Sequence, residues 1–87
     1  MEKTKANPEQ VQKKVLFWLQ EVGGKSEGKP IAADTELLES GILDSVGILN
    51  LVSFLEEQFG FSVPFEEFVP ENFKTTNAIV TMISRLA

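Results

Sequence analysis

Asp44 and Ser45 are the residues of this 87-residue chain whose types and position best suit chemistry. They follow a turn that contains Gly41 and precede a long apolar segment, so we expect them at the start of a helix. A serine at that position is either an ordinary residue of the first turn or a point of covalent attachment. The first turn of a helix has four backbone N–H groups without helical partners and the positive end of the helix dipole, so it also suits a phosphate group.

The composition excludes several kinds of active site. The chain has no cysteine and no histidine, which rules out disulfides, Cys/His zinc sites and a Ser-His-Asp triad. Glu56-Glu57 and Glu66-Glu67 are adjacent pairs, and adjacent residues on a helix point about 100° apart, so they cannot share a proton. We therefore predict no catalytic residue, no metal site and no enzymatic activity, and we interpret Ser45 as a tether rather than a nucleophile.

Length and charge narrow the class of protein. Residues 1–7 are polar and are predicted to be a disordered tail, and residues 8–87 are predicted to form one domain. The net charge of −5, concentrated in residues 31–87, argues against nucleic acid. It fits either a basic protein partner or a solubilising surface. No apolar run approaches the ~20 residues that span a bilayer, so we expect no membrane insertion and a cytoplasmic location. We also expect a monomer.

The apolar spacing predicts three main helices. One covers residues 8–22, and the second covers residues 44–59. The third is capped by Thr75 or Thr76 and follows a short helical turn at 70–73. Residues 23–44 lack a period and predict an ordered crossover. The predicted fold is all-α, a small antiparallel four-helix bundle with three main helices, one short helix and a long first crossover.

Helical spacing also predicts which side chains form the core. A helical turn is expected at 35–39 in the crossover. The second helix is expected to turn Val46, Asn50, Ser53 and Glu57 outward, with Phe54 at the edge of that face. The side chains expected inside are Val11, Val15, Trp18, Leu19 and Val22 of the first helix, Ile48, Leu49, Leu51, Val52, Leu55 and Phe59 of the second, Ile79, Met82, Ile83 and Leu86 of the third, and Phe65, Phe68 and Phe73 at one end.

Gly47 is unusual because a glycine inside a helix costs about 1 kcal/mol relative to alanine. It leaves the backbone bare beside Ser45, which suits the close approach of another molecule. The outward face that follows is small and nearly uncharged, as a docking surface would be.

Residues 37–46 resemble the phosphopantetheine attachment motif of acyl and peptidyl carrier proteins, in which Asp-Ser precedes an aliphatic residue and follows a turn with Gly and Leu. The likeness continues through residues 55–60, 63–64 and 71–75 and covers about residues 8–87. Residues 44–47 and the Phe-Lys-Thr segment at 73–75 are most similar to D-alanine carrier proteins and to other free-standing carriers loaded by an adenylating ligase.

The resemblance implies a carrier that bears 4′-phosphopantetheine, derived from coenzyme A, on Ser45. Asp44 would cap the helix and position the phosphopantetheinyl transferase. The other partners would be an acyl- or aminoacyl-adenylating ligase, which loads the arm with a thioester-bound group, and downstream acyl-processing enzymes. The implied partner surface consists of Val46, Gly47, Asn50, Phe54, Glu56 and Glu57.

Two alternatives stay open beside a helical protein that lies on a membrane surface, which is disfavoured because the first helix has few lysines and the second has none. The first is an acyl carrier protein of type II fatty-acid or polyketide synthesis, although such carriers typically have acidic residues where this chain has Gly47, Asn50 and Ser53. The second is a helical interaction domain in which Ser45 only begins a helix. That domain would need an exposed apolar patch elsewhere, for which Phe17 and Phe54 are the candidates.

Overall fold

Three main helices form the fold. The computed structural model describes residues 7–25 and 29–86. Its elements are α1 (Pro8–Phe17), which continues into a π-helical turn (Trp18–Val22), α2 (Ser45–Phe59), the two 3₁₀ helices Phe65–Glu67 and Pro70–Asn72, and α3 (Thr76–Leu86). The all-α prediction is confirmed, with two short helices in place of one. The tail predicted at residues 1–7 lies outside the described residues except for Asn7.

Helix α1 begins as its sequence predicts and ends differently. The Asn7 side chain accepts hydrogen bonds from the backbone N–H groups of Glu9 and Gln10 at 2.8 and 3.4 Å. At the other end the Gly23 N–H donates to the Trp18 carbonyl, five residues back, which widens the last turn. This wider turn takes Val22 off the buried stripe, so the prediction that Val22 lies in the core is wrong: it is 60% exposed.

The crossover between α1 and α2 is held by backbone hydrogen bonds rather than by a helix. The Leu37 N–H donates to the Lys74 carbonyl at 2.7 Å, and the Leu43 N–H donates back to the Leu37 carbonyl at 3.0 Å. Both leucines are buried. The helical turn predicted at 35–39 is replaced by a hydrogen-bonded turn at 37–41, in which Gly41 has a left-handed φ of 82° that favours glycine.

Helix α2 ends where predicted, and the chain then folds back on it. Gly60 adopts the left-handed conformation and donates its N–H to the Glu56 carbonyl at 2.9 Å, which is a common helix stop. The Glu56 carboxylate accepts a hydrogen bond from the Val63 N–H at 2.8 Å. This bond holds the segment after Gly60 against the last turns of α2.

The core draws side chains from the three helices, the crossover and the segment before α3. Phe73 is 1% exposed, and its ring centroid lies 6.0 Å from that of the half-buried Phe68. The Thr75 hydroxyl accepts the Ala78 N–H at 3.0 Å and so caps α3. The buried apolar residues are Val11, Val15, Trp18, Leu19, Ile31, Leu37, Leu43, Leu51, Val52, Leu55, Val63, Phe73, Ile79, Met82 and Ile83. None of the described helices is both long enough and apolar enough to cross a membrane.

Candidate functional site

Asp44 caps α2 with one carboxylate oxygen and binds a lysine with the other. Its Oδ1 accepts the Gly47 N–H at 2.8 Å, and its Oδ2 accepts from Lys25 Nζ at 3.1 Å. The backbone hydrogen bond from Gly47 and then the Lys25 ammonium hold the pKa of Asp44 below its ordinary value, because both stabilise the charged form. The sequence predicted the cap and gave no sign of the lysine, which lies 19 residues earlier in the chain.

Ser45 is the first residue of α2, and its side chain is exposed. Among the hydrogen bonds of the described residues, none involves its hydroxyl, since Asp44 supplies the cap instead. A serine in the first turn would ordinarily compete for this role. The division leaves an exposed hydroxyl at the N-terminus, and so at the positive dipole end, of a 15-residue helix.

Gly47 has a structural role inside the fold. It is buried, and a Cβ at this position would lie 3.1 Å from Leu43 Cδ1 and 3.2 Å from Asp44 Oδ1. These contacts are tight, so the absent side chain makes room for the crossover and for the cap. Gly47 therefore has almost no surface to offer a partner, in contrast to the close approach by another molecule that its sequence context suggested.

The other residues predicted to face partners divide into two groups. Val46, Asn50 and Glu57 are exposed on α2. Phe54 is half-buried and packs against the core, and Glu56 is occupied by its hydrogen bond to Val63. Phe54 and Glu56 are therefore less available to a partner than Val46, Asn50 and Glu57.

An apolar depression adjoins Ser45. Its volume is about 580 Å³, and Ser45 and Asp44 form part of its lining. A smaller depression of about 380 Å³ lies between Leu49, Val63, Phe65 and Phe68. The apolar side chains that line the larger one are Leu38, Leu43, Ile48, Leu49, Phe68, Val69, Pro70 and Phe73. Leu49 and Phe68 line both, so the two depressions adjoin.

Three exposed apolar side chains beside these depressions were not predicted as surface residues. Leu49 is 58% exposed and Phe65 is 88% exposed, so their predicted core positions are wrong, and Val69 is also exposed. Together with Val46 they form what we call the serine-side apolar surface: Val46, Leu49, Phe65 and Val69. Pro64 and Pro70 lie on either side of the segment that turns Phe65 outward.

This helical domain, in which Ser45 begins the second main helix, matches a known protein family. Residues 18–83 match the family model described as "Phosphopantetheine attachment site". The D-alanyl carrier protein of Streptococcus suis is 40% identical over 53 residues, which cover 61% of this chain and 67% of the relative. The D-alanyl carrier protein of Lactobacillus delbrueckii subsp. bulgaricus is 33% identical over 76 residues, which cover 87% and 92%.

A solved structure shares the fold. It is the crystal structure of Bradyrhizobium japonicum glycine:[carrier protein] ligase complexed with glycylated carrier protein, in which one chain matches with a TM-score of 0.66 at 24% identity, covering 86% of this chain and 96% of that one. The chain described here belongs to the phosphopantetheine-attachment family of carrier proteins, and its cofactor is covalently bound 4′-phosphopantetheine.

The residues around Ser45 fit this group. A phosphodiester needs an accessible hydroxyl and partners for its negative charge, and the site has an exposed serine, the N-terminus of α2 and the Lys25 ammonium. The apolar depression next to the serine offers a surface for the pantetheine chain.

Proposed function

We propose that this chain is an aminoacyl carrier protein whose 4′-phosphopantetheine arm is attached to Ser45. The observation that carries the proposal is the exposed hydroxyl of Ser45, which begins α2 without capping it. Ser45 is also the serine of the Asp-Ser pair within the matched residues 18–83. When attached, the arm supplies a terminal thiol, the only thiol in a chain without cysteine, and this thiol holds the carried group as a thioester.

The residues of the chain would orient the arm and leave catalysis to the partners. Asp44 keeps the first turn of α2 in place and would present the hydroxyl to a phosphopantetheinyl transferase. With no histidine in the chain, no imidazole is present to activate that hydroxyl, and the Asp44 carboxylate is engaged by Gly47 and Lys25; we therefore assign the base to the transferase. We place these reactions in the cytoplasm, where coenzyme A and ATP are supplied.

We propose an amino acid as the carried group, loaded by an adenylating ligase that uses ATP. The proteins similar to this chain include D-alanyl carrier proteins at 33–40% identity. The surface of α2 beyond Ser45 is also poor in charge, since Val46, Leu49 and Asn50 are exposed there. A carrier with this surface suits a ligase that reads apolar contacts near the serine.

We assign the docking of this ligase to the serine-side apolar surface. The arm is rooted at Ser45, so an enzyme that receives the thiol must lie against the residues around that serine. Leu49 of α2 and Phe65 of the α2–α3 connection both line the smaller depression, and both expose most of their side chains. Exposed aromatic and aliphatic groups of this kind commonly anchor small interfaces.

Intact mass tests the attachment. The purified chain is incubated with coenzyme A and a broad-specificity phosphopantetheinyl transferase, and we expect a mass increase of one phosphopantetheinyl group. Ser45→Ala should remain unmodified, and Ser53→Ala, which changes an exposed serine of the same helix, should be modified like the wild type. An unchanged wild-type mass or a modified Ser45→Ala would overturn the assignment.

Loading assays test the carried group. The modified protein is offered D-alanine or glycine with the corresponding carrier-protein ligase and ATP, and separately malonyl-coenzyme A with a malonyl transferase. We expect an aminoacyl thioester that hydroxylamine releases. Loading by the malonyl transferase alone would overturn the aminoacyl proposal and favour a carrier of fatty-acid or polyketide synthesis.

A further inference from the structure

Lys25 reaches the start of α2 from the beginning of the crossover. Its Nζ lies 3.1 Å from Asp44 Oδ2, and its backbone N–H donates to the Ile42 carbonyl at 3.0 Å. The second bond fixes the backbone of Lys25 against Ile42, which lies two residues before the Asp44 cap. The fold therefore anchors the base of the lysine side chain close to Asp44, the residue before Ser45.

The charge around Ser45 makes this lysine important once the serine carries a phosphodiester. Residues 31–87 contain nine acidic residues against only Lys74 and Arg85. Arg85 is paired with Glu67 at 3.1 Å, and α2 itself contains no basic residue. A phosphodiester on Ser45 would add a negative charge one residue from the Asp44 carboxylate, and like charges at such short range repel.

We infer that Lys25 is a positioning residue for the arm: its ammonium bridges the Asp44 carboxylate and the phosphodiester on Ser45, and so holds the root of the arm. The inference rests on the proposed attachment to Ser45. Consecutive Cα atoms lie about 3.8 Å apart, and the lysine ammonium carries three donors on a flexible stem. One lysine can therefore serve both anions.

The ion pair between Lys25 and Asp44 is exposed to solvent. The Lys25 and Asp44 side chains are 68% and 52% exposed, and ion pairs this exposed contribute little to folding stability. Lys25 can therefore share its donors with a second anion at little cost to the fold. Asp44 keeps its other oxygen on the Gly47 N–H, so the cap remains when the lysine moves.

The test is the ³¹P chemical shift of the modified protein. We expect the phosphodiester resonance of Lys25→Gln to differ from that of the wild type at about 10 mM salt, and the difference to disappear near 1 M, where the Debye length falls from ~30 Å to ~3 Å. Lys25→Arg should keep most of the wild-type shift. Lys29→Gln is the matched control, because Lys29 is exposed in the same crossover, and it should behave like the wild type.

A second measurement needs no variant. The side-chain ¹³Cε resonance of Lys25 in the wild-type protein should move when the apo protein is converted to the modified form, and that of Lys29 should not. Equal ³¹P shifts in Lys25→Gln and the wild type at low salt, or a Lys25 resonance unmoved by modification, would overturn the inference. Failure of the attachment itself is seen separately, as an unchanged intact mass.

Discussion

Phe65 and Phe73 allow a paired test of which phenylalanine contributes to partner binding and which to folding stability. The two phenylalanines lie eight residues apart in the same connection, yet Phe65 is 88% exposed and Phe73 is 1% exposed. We predict that Phe65→Ala lowers the rate of aminoacyl loading without affecting folding. We predict that Phe73→Ala mainly destabilises the fold.

The structure sets the size of both effects. Complete burial of a phenylalanine side chain contributes about 1.5–3 kcal/mol. If the ligase buries the exposed 88% of Phe65, its removal costs about 1.3–2.6 kcal/mol, or a ~10- to ~80-fold loss in kcat/KM. Truncation of the buried Phe73 costs about 3–5 kcal/mol, a large part of the ~4–13 kcal/mol expected for a domain of this length.

The assay compares the two variants with the wild type. Each protein is converted to the modified form, complete conversion is confirmed by intact mass, and kcat/KM for loading is measured with the ligase that accepts the wild type. Thermal unfolding is followed by circular dichroism in parallel. We expect Phe65→Ala to match the wild-type Tm, because exposed substitutions usually change stability by less than about 0.5 kcal/mol.

Two results would contradict these predictions. An unchanged kcat/KM for Phe65→Ala would show that the ligase does not cover the serine-side apolar surface at Phe65. A fall in Tm as large for Phe65→Ala as for Phe73→Ala would show that Phe65 belongs to the core.

Two further predictions concern stability. The Arg85 guanidinium lies 3.1 Å from the Glu67 carboxylate and holds the pKa of Glu67 below its ordinary value. The ion pair therefore stabilises the folded state above the ordinary glutamate pKa of about 4.3. This stabilisation is lost as the pH falls through the lower pKa of the folded state. Between about pH 5 and about pH 3 we expect the urea midpoint of the wild type to fall more steeply than that of Glu67→Gln. The exposed control Glu66→Gln should follow the wild type. Parallel curves for all three proteins would contradict this prediction. Gly47→Ala should give no net stabilisation, because the new Cβ would lie 3.1 Å from the buried Leu43 side chain, and a gain of the full ~1 kcal/mol of helix propensity in chemical unfolding would contradict the packing.

The starts of the three main helices and the end of α2 could be predicted because their signals are local. Asn7, Asp44 and Thr75 each accept a backbone N–H within three residues, and Gly60 ends α2 in the conformation that glycine favours. Such caps depend on residue type and short spacing. These caps do not depend on contacts with distant parts of the chain.

The surface beside Ser45 could not be predicted in the same way. Leu49 lies at the edge of the apolar stripe of α2, and its exposure depends on whether another element covers that edge. In this fold Phe65 turns outward on its 3₁₀ helix instead of covering it. The contact between Lys25 and Asp44 could not be predicted either, because it joins residues 19 positions apart across a crossover whose apolar residues show no helical or strand spacing.

The division of roles between Asp44 and Ser45 has a consequence for how the protein is used. The aspartate holds the helix start, and the serine contributes no hydrogen bond to it among the described residues. Esterification of the serine hydroxyl therefore removes nothing that the fold depends on. If the arm is attached to Ser45 as proposed, it can therefore be added to a domain that is already folded, with the cap of α2 left in place.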